Sequence, residues 1–111
     1  MVSKYRNEKV TYAGHKFDSR KEMRWWLIFQ EQQKAGKISN LERQVKFRFE
    51  IQGKALRYVE SQRAITYTAD FVYVDRDGVR RVVDAKGFKT REYMMKKALM
   101  MACHGILVEE V

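Results

Sequence analysis

The sequence predicts a single domain, spanning residues 1–111, of the mixed α/β (α+β) class with the element order αβββαβ. Three observations support this prediction. Two segments have helical hydrophobic spacing between start and stop signals, several others alternate apolar and polar residues as strands do, and proline is absent. A return through the second helix to the sheet adds one parallel strand pair, which predicts a central mixed sheet flanked by helices.

The N-terminal part of the sequence predicts an arm, a hairpin and the first helix. Residues 1–9 are polar and basic, which is typical of a loose terminal arm. Val10–Phe17 alternates around a glycine and predicts a short hairpin. The first helix is expected over Arg20–Ala35, because Ser19–Glu22 fits a capping box and Gly36 is a natural stop.

The middle of the chain predicts the first strand of the sheet. Val45–Ile51 alternates apolar and charged residues, as expected of a strand with one buried face. Lys37–Glu42, which precedes it, is expected to be a connector. Lys54–Ala64, which follows it, has no clear pattern, so a short strand and an ordered loop both remain open.

The segment Tyr67–Lys86 predicts a β-hairpin at the centre of the sheet. Two runs rich in Val, Tyr, Phe and Thr flank a polar cluster suited to a tight reversal. The first run contains Asp70 and the second contains Asp84. Aspartate is depleted from strand interiors and costly to bury alone, so these two acids are the first candidates for a functional role.

The C-terminal part predicts the second helix and the last strand. Gly87 is expected to break the hairpin strand, and Thr90 can cap a helix over Arg91–His104. Ile106–Val111 is expected to be the final strand. The predicted core stripe of this helix consists of Met94, Met95, Ala98, Leu99 and Ala102, and Met100 and Met101 extend it.

The composition points to a polyanionic partner. The chain has 23 Lys plus Arg against 14 Asp plus Glu, a net charge of +9, which favours nucleic acid, although a merely soluble basic protein is an alternative. The single cysteine suits a reducing cytoplasm. No apolar run approaches the length of a membrane span, and the N-terminus lacks the hydrophobic region of a signal peptide.

The length of the hairpin turn decides whether the two acids meet. A three-residue loop, Arg76–Gly78, with its glycine in the left-handed conformation, pairs Asp75 with Val79 and sets Asp70 opposite Asp84 on one face. A two-residue loop sends the two acids to opposite faces. The functional interpretation therefore needs the longer turn or a bulge.

If the carboxylates meet, their charges need compensation. Two negative charges about 5 Å apart at an effective dielectric near 20 repel by roughly 3 kcal/mol. Lys86, two residues beyond Asp84, relieves part of this repulsion, and a divalent cation relieves more. Mg²⁺ is commonly held by one or two carboxylates. The pattern is therefore consistent with a metal site beside an ammonium group.

The same residues resemble the core of the PD-(D/E)XK nuclease superfamily. More closely, the chain from about residue 5 to residue 110 is similar to a small phage and prophage protein family related to Holliday junction resolvases. Ala69 stands where the superfamily name has proline, and the last helix lacks the Gln-x-x-x-Tyr element of the RecB-type branch. The matching segments are Phe17–Glu22, Ile65–Tyr73, Val83–Thr90 and Gly105–Ile106.

The resemblance implies a restriction-endonuclease-like core and a Mg²⁺ site that Mn²⁺ can also fill. Asp70 and Asp84 would be ligands together with the Ala85 carbonyl. Glu22 would supply a third carboxylate, although a role as a helix cap explains it equally well. Lys86 would orient or help deprotonate the attacking water, or offset charge in the transition state.

The resemblance also implies an activity and partners. The expected reaction is in-line hydrolysis of DNA that leaves a 5′-phosphate, with four-way junctions as the first candidate substrate in phage DNA recombination or processing. Cutting two strands needs two sites, so we expect a homodimer. A phage or prophage protein of this kind would act in the cytoplasm of a bacterial host.

Several cations are candidates for phosphate contacts, although a solvated surface is the ordinary explanation for any one of them. The rival function is a non-catalytic nucleic-acid-binding protein, in which the two acids merely pair with neighbouring cations such as Lys86. The candidate nucleic-acid-binding residues are Lys89, Arg91, Lys97, Arg63 and Arg80.

Overall fold

The structure, a computed structural model, describes residues 9–86 and 88–111. Nearly all of the expected N-terminal arm and the expected strand break at Gly87 lie outside the described residues. Within them, the helices are α1 (Arg20–Lys34) and α2 (Arg91–His104). The strands are β1 (Val10–Tyr12), β2 (His15–Phe17), β3 (Ser39–Arg48), β4 (Glu50–Ile51), β5 (Lys54–Ala55), β6 (Thr66–Val74), β7 (Arg80–Asp84) and β8 (Glu109–Glu110).

Both helices begin where the sequence predicts, because each has a hydroxyl at its N-cap. The Ser19 hydroxyl accepts the Glu22 N–H at 3.1 Å, and the Thr90 hydroxyl accepts the Tyr93 N–H at 3.0 Å. The capping box of α1 closes differently from the prediction. The Glu22 carboxylate accepts the N–H of Asp18, one residue before the N-cap, at 3.4 Å, and its other oxygen points into the protein.

The main sheet has the strand order β3-β6-β7-β8. β3, β6 and β7 are antiparallel neighbours, whereas β8 lies parallel to β7 after the chain has passed through α2. This confirms the prediction of a mixed sheet with one helical crossover. β1 and β2 form the expected short hairpin before α1.

The hairpin of β6 and β7 has the longer turn that the functional interpretation requires. The Asp75 N–H donates to the Val79 carbonyl at 2.9 Å, and Gly78 has φ +79°. The Asp75 carboxylate also accepts the Val79 N–H at 2.9 Å, which stabilises the reversal. Phe71 pairs with Val83, so the next pair along the ribbon is Asp70 opposite Asp84.

Three predicted boundaries are wrong. β3 begins at Ser39 and so includes most of the expected connector Lys37–Glu42, because these residues pair with the end of β6 around a register shift. The predicted strand Val45–Ile51 is split, since β4 leaves the sheet to form a separate ribbon with β5. The final strand is shortened from Ile106–Val111 to Glu109–Glu110, and Lys54–Ala64 contains both β5 and loop.

β6 changes sides at Asp70. Tyr67 and Ala69 pack in the core cluster that contains Met100 of α2, whereas Phe71 packs with Phe29 of α1 in the second cluster. In a regular strand, residues two apart share a face. The exchange of faces therefore occurs at Asp70, between the two halves of the core.

The ribbon of β3 and β6 also bends at this point. Phe47 pairs with Tyr67, and Arg80 pairs with Val74, seven residues further along β6. In a flat sheet these two levels would lie about 23 Å apart. Because the Arg80 guanidinium carbon is 5.1 Å from the centre of the Phe47 ring, the ribbon must fold back over the face that β7 shares with α2.

The predicted core stripe of α2 is largely wrong. Tyr93 and Met100 are its buried residues, so the predicted extension to Met100 is confirmed, whereas Met94 and Met95 are 50% and 65% exposed. Ala98 and Ala102, also in the predicted stripe, are exposed, and Leu99 packs against the core. Methionines occur around much of this helix, so their spacing alone does not determine which face is buried. The large aromatic ring of Tyr93 determines it. None of the described helices is long and apolar enough to span a bilayer.

Two methionines on α2 test this orientation. We expect Met100→Ala to lower the free energy of unfolding by about 2–5 kcal/mol, because Met100 is fully buried, and Met95→Ala to change it by less than about 0.5 kcal/mol. Urea denaturation followed by circular dichroism measures both. Equal losses in the two variants would show that α2 presents a different face to the core.

Candidate functional site

Asp70 and Asp84 are joined by reciprocal hydrogen bonds to the backbone. Oδ1 of Asp84 accepts the Asp70 N–H at 2.9 Å, and Oδ2 of Asp70 accepts the Ala85 N–H at 2.9 Å. Asp84 is fully buried, and Asp70 is 8% exposed. The two carboxylates that the sequence predicts to meet are therefore adjacent in the interior, at the point where β6 changes sides.

Tyr67 is a third member of the cluster, which the sequence did not predict. Its hydroxyl donates a hydrogen bond to Oδ2 of Asp84. Burial and this bond to the carboxylate raise the pKa of Tyr67 well above its ordinary value, so the phenol stays protonated. A buried tyrosine needs a partner for its hydroxyl. In a regular strand residues three apart point to opposite faces, so no signal in the sequence places Tyr67 beside the acids.

The charges of the acid pair are not balanced by a cation. Burial, followed by the charge of Asp84, raises the pKa of Asp70 to about 7, although the Ala85 N–H opposes this shift. Neither carboxylate has an ion-pair partner at 4 Å or less within residues 9–86 and 88–111. The pair therefore retains an excess of negative charge that a proton or a metal ion would relieve.

Glu22 lies close to the pair but is compensated separately. It is 3% exposed, and its Oε1 accepts hydrogen bonds from Arg43 Nη2 at 3.0 Å and from Gln44 Nε2 at 3.1 Å. The Arg43 guanidinium also packs over the Phe17 ring at 4.1 Å. Glu22 thus has two roles. Its N–H donates to the N-cap of α1, and its buried carboxylate pairs with the Arg43 guanidinium.

Gln44 connects Glu22 to the acid pair. Its Nε2 lies 3.1 Å from Glu22 and 3.3 Å from Oδ1 of Asp70, so one amide group donates to both acids. Gln44 has φ +52° inside β3, directly across from Asp70. A non-glycine residue in this left-handed backbone conformation costs about 1–3 kcal/mol of conformational free energy, and such residues are concentrated at functional sites. No pattern in the sequence predicts it.

Lys86 lies beside the acids without neutralising them. Its ammonium is 4.9 Å from the centre of the Tyr93 ring, and its carbonyl accepts a hydrogen bond from the Lys21 ammonium at 3.1 Å. Its charge lowers the pKa of Asp70 by only a minor amount relative to the other causes. Lys86 and Tyr67 both line an open depression of about 280 Å³, and neither Asp70 nor Asp84 is among its lining residues.

The predicted phosphate-binding cations are not gathered around the acids. Lys89 and Lys97 both pair with Glu110, at 2.8 and 3.1 Å, and Lys89 is the largest cause that lowers the pKa of Glu110 to about 2. Arg80 lies over the Phe47 ring instead of near the pair. The remaining two, Arg63 and Arg91, are exposed.

The donor atoms suit a divalent ion only in part. Asp70 and Asp84 supply hard oxygen donors, to which the resemblance adds the Ala85 carbonyl, and Mg²⁺ is often held by so few protein ligands with water completing its shell. The long contact of 3.3 Å from Gln44 leaves Oδ1 of Asp70 the most available oxygen. No group of three or more His, Cys, Asp or Glu in the described parts of the chain is arranged to hold a metal.

Fold and site together define a small mixed α/β protein with a buried carboxylate pair at a bend of its sheet. Over residues 2–107 the chain matches the family described as "Protein of unknown function (DUF1064)", and it therefore belongs to that family. No curated protein and no solved structure matches the chain.

The raised pKa of Asp70 predicts a pH-dependent stability. Because the folded pKa of about 7 lies above the ordinary value of 3.8, the folded protein holds a proton that the unfolded chain releases, and stability falls as pH rises between these values. We expect wild type to lose roughly 2–4 kcal/mol relative to Asp70→Asn across this window. Urea denaturation in EDTA measures this difference, and Asp77→Asn in the exposed turn is the control. A constant difference would contradict the assignment.

The Arg43 and Glu22 pair predicts a coupled loss of stability. Arg43→Met leaves a buried carboxylate without its cation, so we expect a loss of about 3–5 kcal/mol, of which the double variant with Glu22→Gln recovers a part. Chemical denaturation of the two single variants and the double variant measures the coupling. Additive effects would mean that the two residues do not compensate each other.

Proposed function

We propose that the protein is a Mg²⁺-dependent endonuclease that hydrolyses phosphodiester bonds in DNA, with Mn²⁺ able to substitute. The observation that carries this proposal is the buried pair of Asp70 and Asp84 with no ion-pair partner among the described residues, next to an ammonium that is also unpaired there. Buried charges in proteins are normally paired or hold metals. The net charge of +9 adds an affinity for polyanions.

In this proposal the acids provide the ligands and their neighbours fix the orientation of the acids. Asp70, Asp84 and the Ala85 carbonyl would hold the ion, which when bound polarises a phosphoryl oxygen and lowers the pKa of a water. Tyr67 restrains one oxygen of Asp84, and Gln44 orients Asp70. Glu22 would act through Gln44 instead of as a direct ligand, because Arg43 already occupies its carboxylate.

Lys86 has the position required to act on water or phosphate. Its stem leaves β7 two residues after Asp84, and its ammonium packs on the Tyr93 ring at the wall of the open depression. A lysine tied to a carboxylate would be unavailable, and Lys86 has no such partner at 4 Å or less within the described ranges. It would orient the attacking water or offset charge that develops in the transition state.

The order of elements supports a restriction-endonuclease-like core as the finer description of the fold. Without the two short ribbons, the order is α1, β3, β6, β7, α2, β8, which is the αβββαβ order expected from the resemblance. The acids lie on the second and third strands of this order. The same resemblance supports branched DNA as substrate, a homodimer as the active form, and a place in phage DNA recombination or processing in the cytoplasm of a bacterial host.

The rival function is a non-catalytic nucleic-acid-binding protein. That function requires no metal and predicts that the acids are neutralised by Lys86, Arg80 or Arg63. The described residues contain none of these ion pairs, and Arg80 packs on Phe47 instead. The nuclease therefore accounts better for the unbalanced charge of the pair.

A cleavage assay separates the two functions. With Mg²⁺ or Mn²⁺ we expect the protein to cut a synthetic four-way junction and EDTA to abolish cutting. Asp84→Asn and Lys86→Ala should each lower the rate at least about 100-fold while DNA binding is retained, because each removes a group that acts on the reacting phosphate. Gel electrophoresis of labelled junctions gives rates, and gel shifts in EDTA give binding.

Matched variants control for general effects of charge. Asp77→Asn, in the exposed hairpin turn, and Lys37→Ala, after α1, change the same residue types away from the pair and should leave cutting unchanged. If Asp84→Asn and Lys86→Ala cut as fast as these controls, the proposed site is wrong. Parallel assays on flaps and linear duplexes, with sedimentation of the protein, test the substrate and the dimer separately.

A further inference from the structure

We propose that a second site, a basic groove at the C-terminal end of α2, binds the phosphate backbone of DNA. The groove has a volume of about 530 Å³ and lies along β3, which is an edge strand of the main sheet in the described structure. Its apolar lining residues, the floor, are Val45, Phe47 and Cys103. Its cationic lining residues, the rim, are Lys46, Arg48 and Arg80.

The groove is separate from the acid pair. It shares no lining residue with the depression beside Lys86, which lies at Tyr93 near the start of α2, whereas the groove lies at Cys103 and His104 near its end. These positions are about 16 Å apart along the helix axis. The proposal therefore goes beyond the nuclease reaction, and it stands even for a protein that binds DNA without cutting it.

The rim cations are not neutralised. Lys46, Arg48 and Arg80 have no carboxylate within 4 Å in the described parts of the chain, whereas Lys89 and Lys97 both pair with Glu110. The groove contains one acid, Glu50, against the three cations. A local excess of unpaired positive charge in a concave surface favours an anionic ligand.

The groove is also held in shape before any ligand binds. The Arg80 guanidinium packs over the Phe47 ring at 5.1 Å, which fixes its plane and leaves its edge for a phosphate. The His104 ring lies 5.8 Å from the Phe47 ring, and its Nε2 donates to the Arg48 carbonyl at 2.6 Å. Because the arginine is already ordered, less conformational entropy is lost on binding.

The arrangement suits a polynucleotide better than a small anion. Lys46 and Arg48 are two residues apart on one strand, about 6.6 Å, so they can contact successive phosphates along a chain. Groups that contact the backbone position a nucleic acid without reading its sequence. The apolar lining residues of the groove can take the sugar of the same strand.

Cys103 makes the groove directly observable, because it is the chain's single cysteine and lies in the floor. We expect saturating DNA, added in EDTA so that nothing is cut, to slow alkylation of Cys103 by iodoacetamide at least about tenfold, since the bound backbone covers the thiol. An unchanged rate with DNA bound would overturn the proposal. Equal protection by dAMP or by polyglutamate would also overturn it, in favour of a small nucleotide or an acidic protein.

Variants give a second, independent measurement. The double variant Lys46→Ser/Arg48→Ser should reduce the slope of log K against log salt by about 2, because each lost phosphate contact removes roughly 0.9 from the slope. The control pair Lys34→Ser/Lys37→Ser, at the end of α1, should leave the slope unchanged. Bis-p-nitrophenyl phosphate is too small to span the distance from the acid pair to the groove. Its hydrolysis should therefore proceed at the same rate in both double variants.

The two proposals can fail separately. If DNA protects Cys103 and the salt slope falls but no Mg²⁺-dependent cutting occurs, the groove stands and the nuclease proposal fails. If cutting occurs but DNA does not slow the labelling of Cys103 and the variants do not change the salt slope, the proposal of a second binding site is wrong and the nuclease proposal stands.

Discussion

The exchange of hydrogen bonds between Asp70 and Asp84 is the interaction on which the rest of the structure depends. The Asp84 carboxylate on β7 accepts the N–H of Asp70, and the Asp70 carboxylate on β6 accepts the N–H of Ala85. The two acids thus replace part of the usual backbone pairing of β6 and β7. That replacement coincides with the change of faces in β6 and with the bend of β3 over β7. A local irregularity thus divides the core between the helices and places the acids at the boundary.

Compensation is distributed unequally among the three buried acids. Glu22 receives the guanidinium of Arg43, whereas Asp70 receives only the neutral amide of Gln44. A fold selected for stability alone would not leave like charges adjacent without a cation, since burial and repulsion together raise the pKa of Asp70 to about 7. Perturbed pKa values of this kind are concentrated at functional sites.

Local signals in the sequence predicted what local interactions determine. Gly78 fixed the turn and hence the register of the acids, and the hydroxyls of Ser19 and Thr90 fixed the helix starts. The start of β3 and the buried face of α2 depend on pairing and packing with distant residues, which a single sequence does not reveal. Gln44 has φ +52°, which no local signal in the sequence predicts, so only the structure could place its amide between two acids.

The edge position of β3 gives its charged residues a further consequence. An exposed strand edge offers unpaired N–H and carbonyl groups to other molecules, and proteins discourage such association with lysines and irregular backbone. Lys46 and Arg48 alternate along this edge, and the register shift near Ser39 distorts its beginning. Self-association into intermolecular sheets is thereby opposed by the same side chains that make the surface basic, so that neutralising them would favour aggregation.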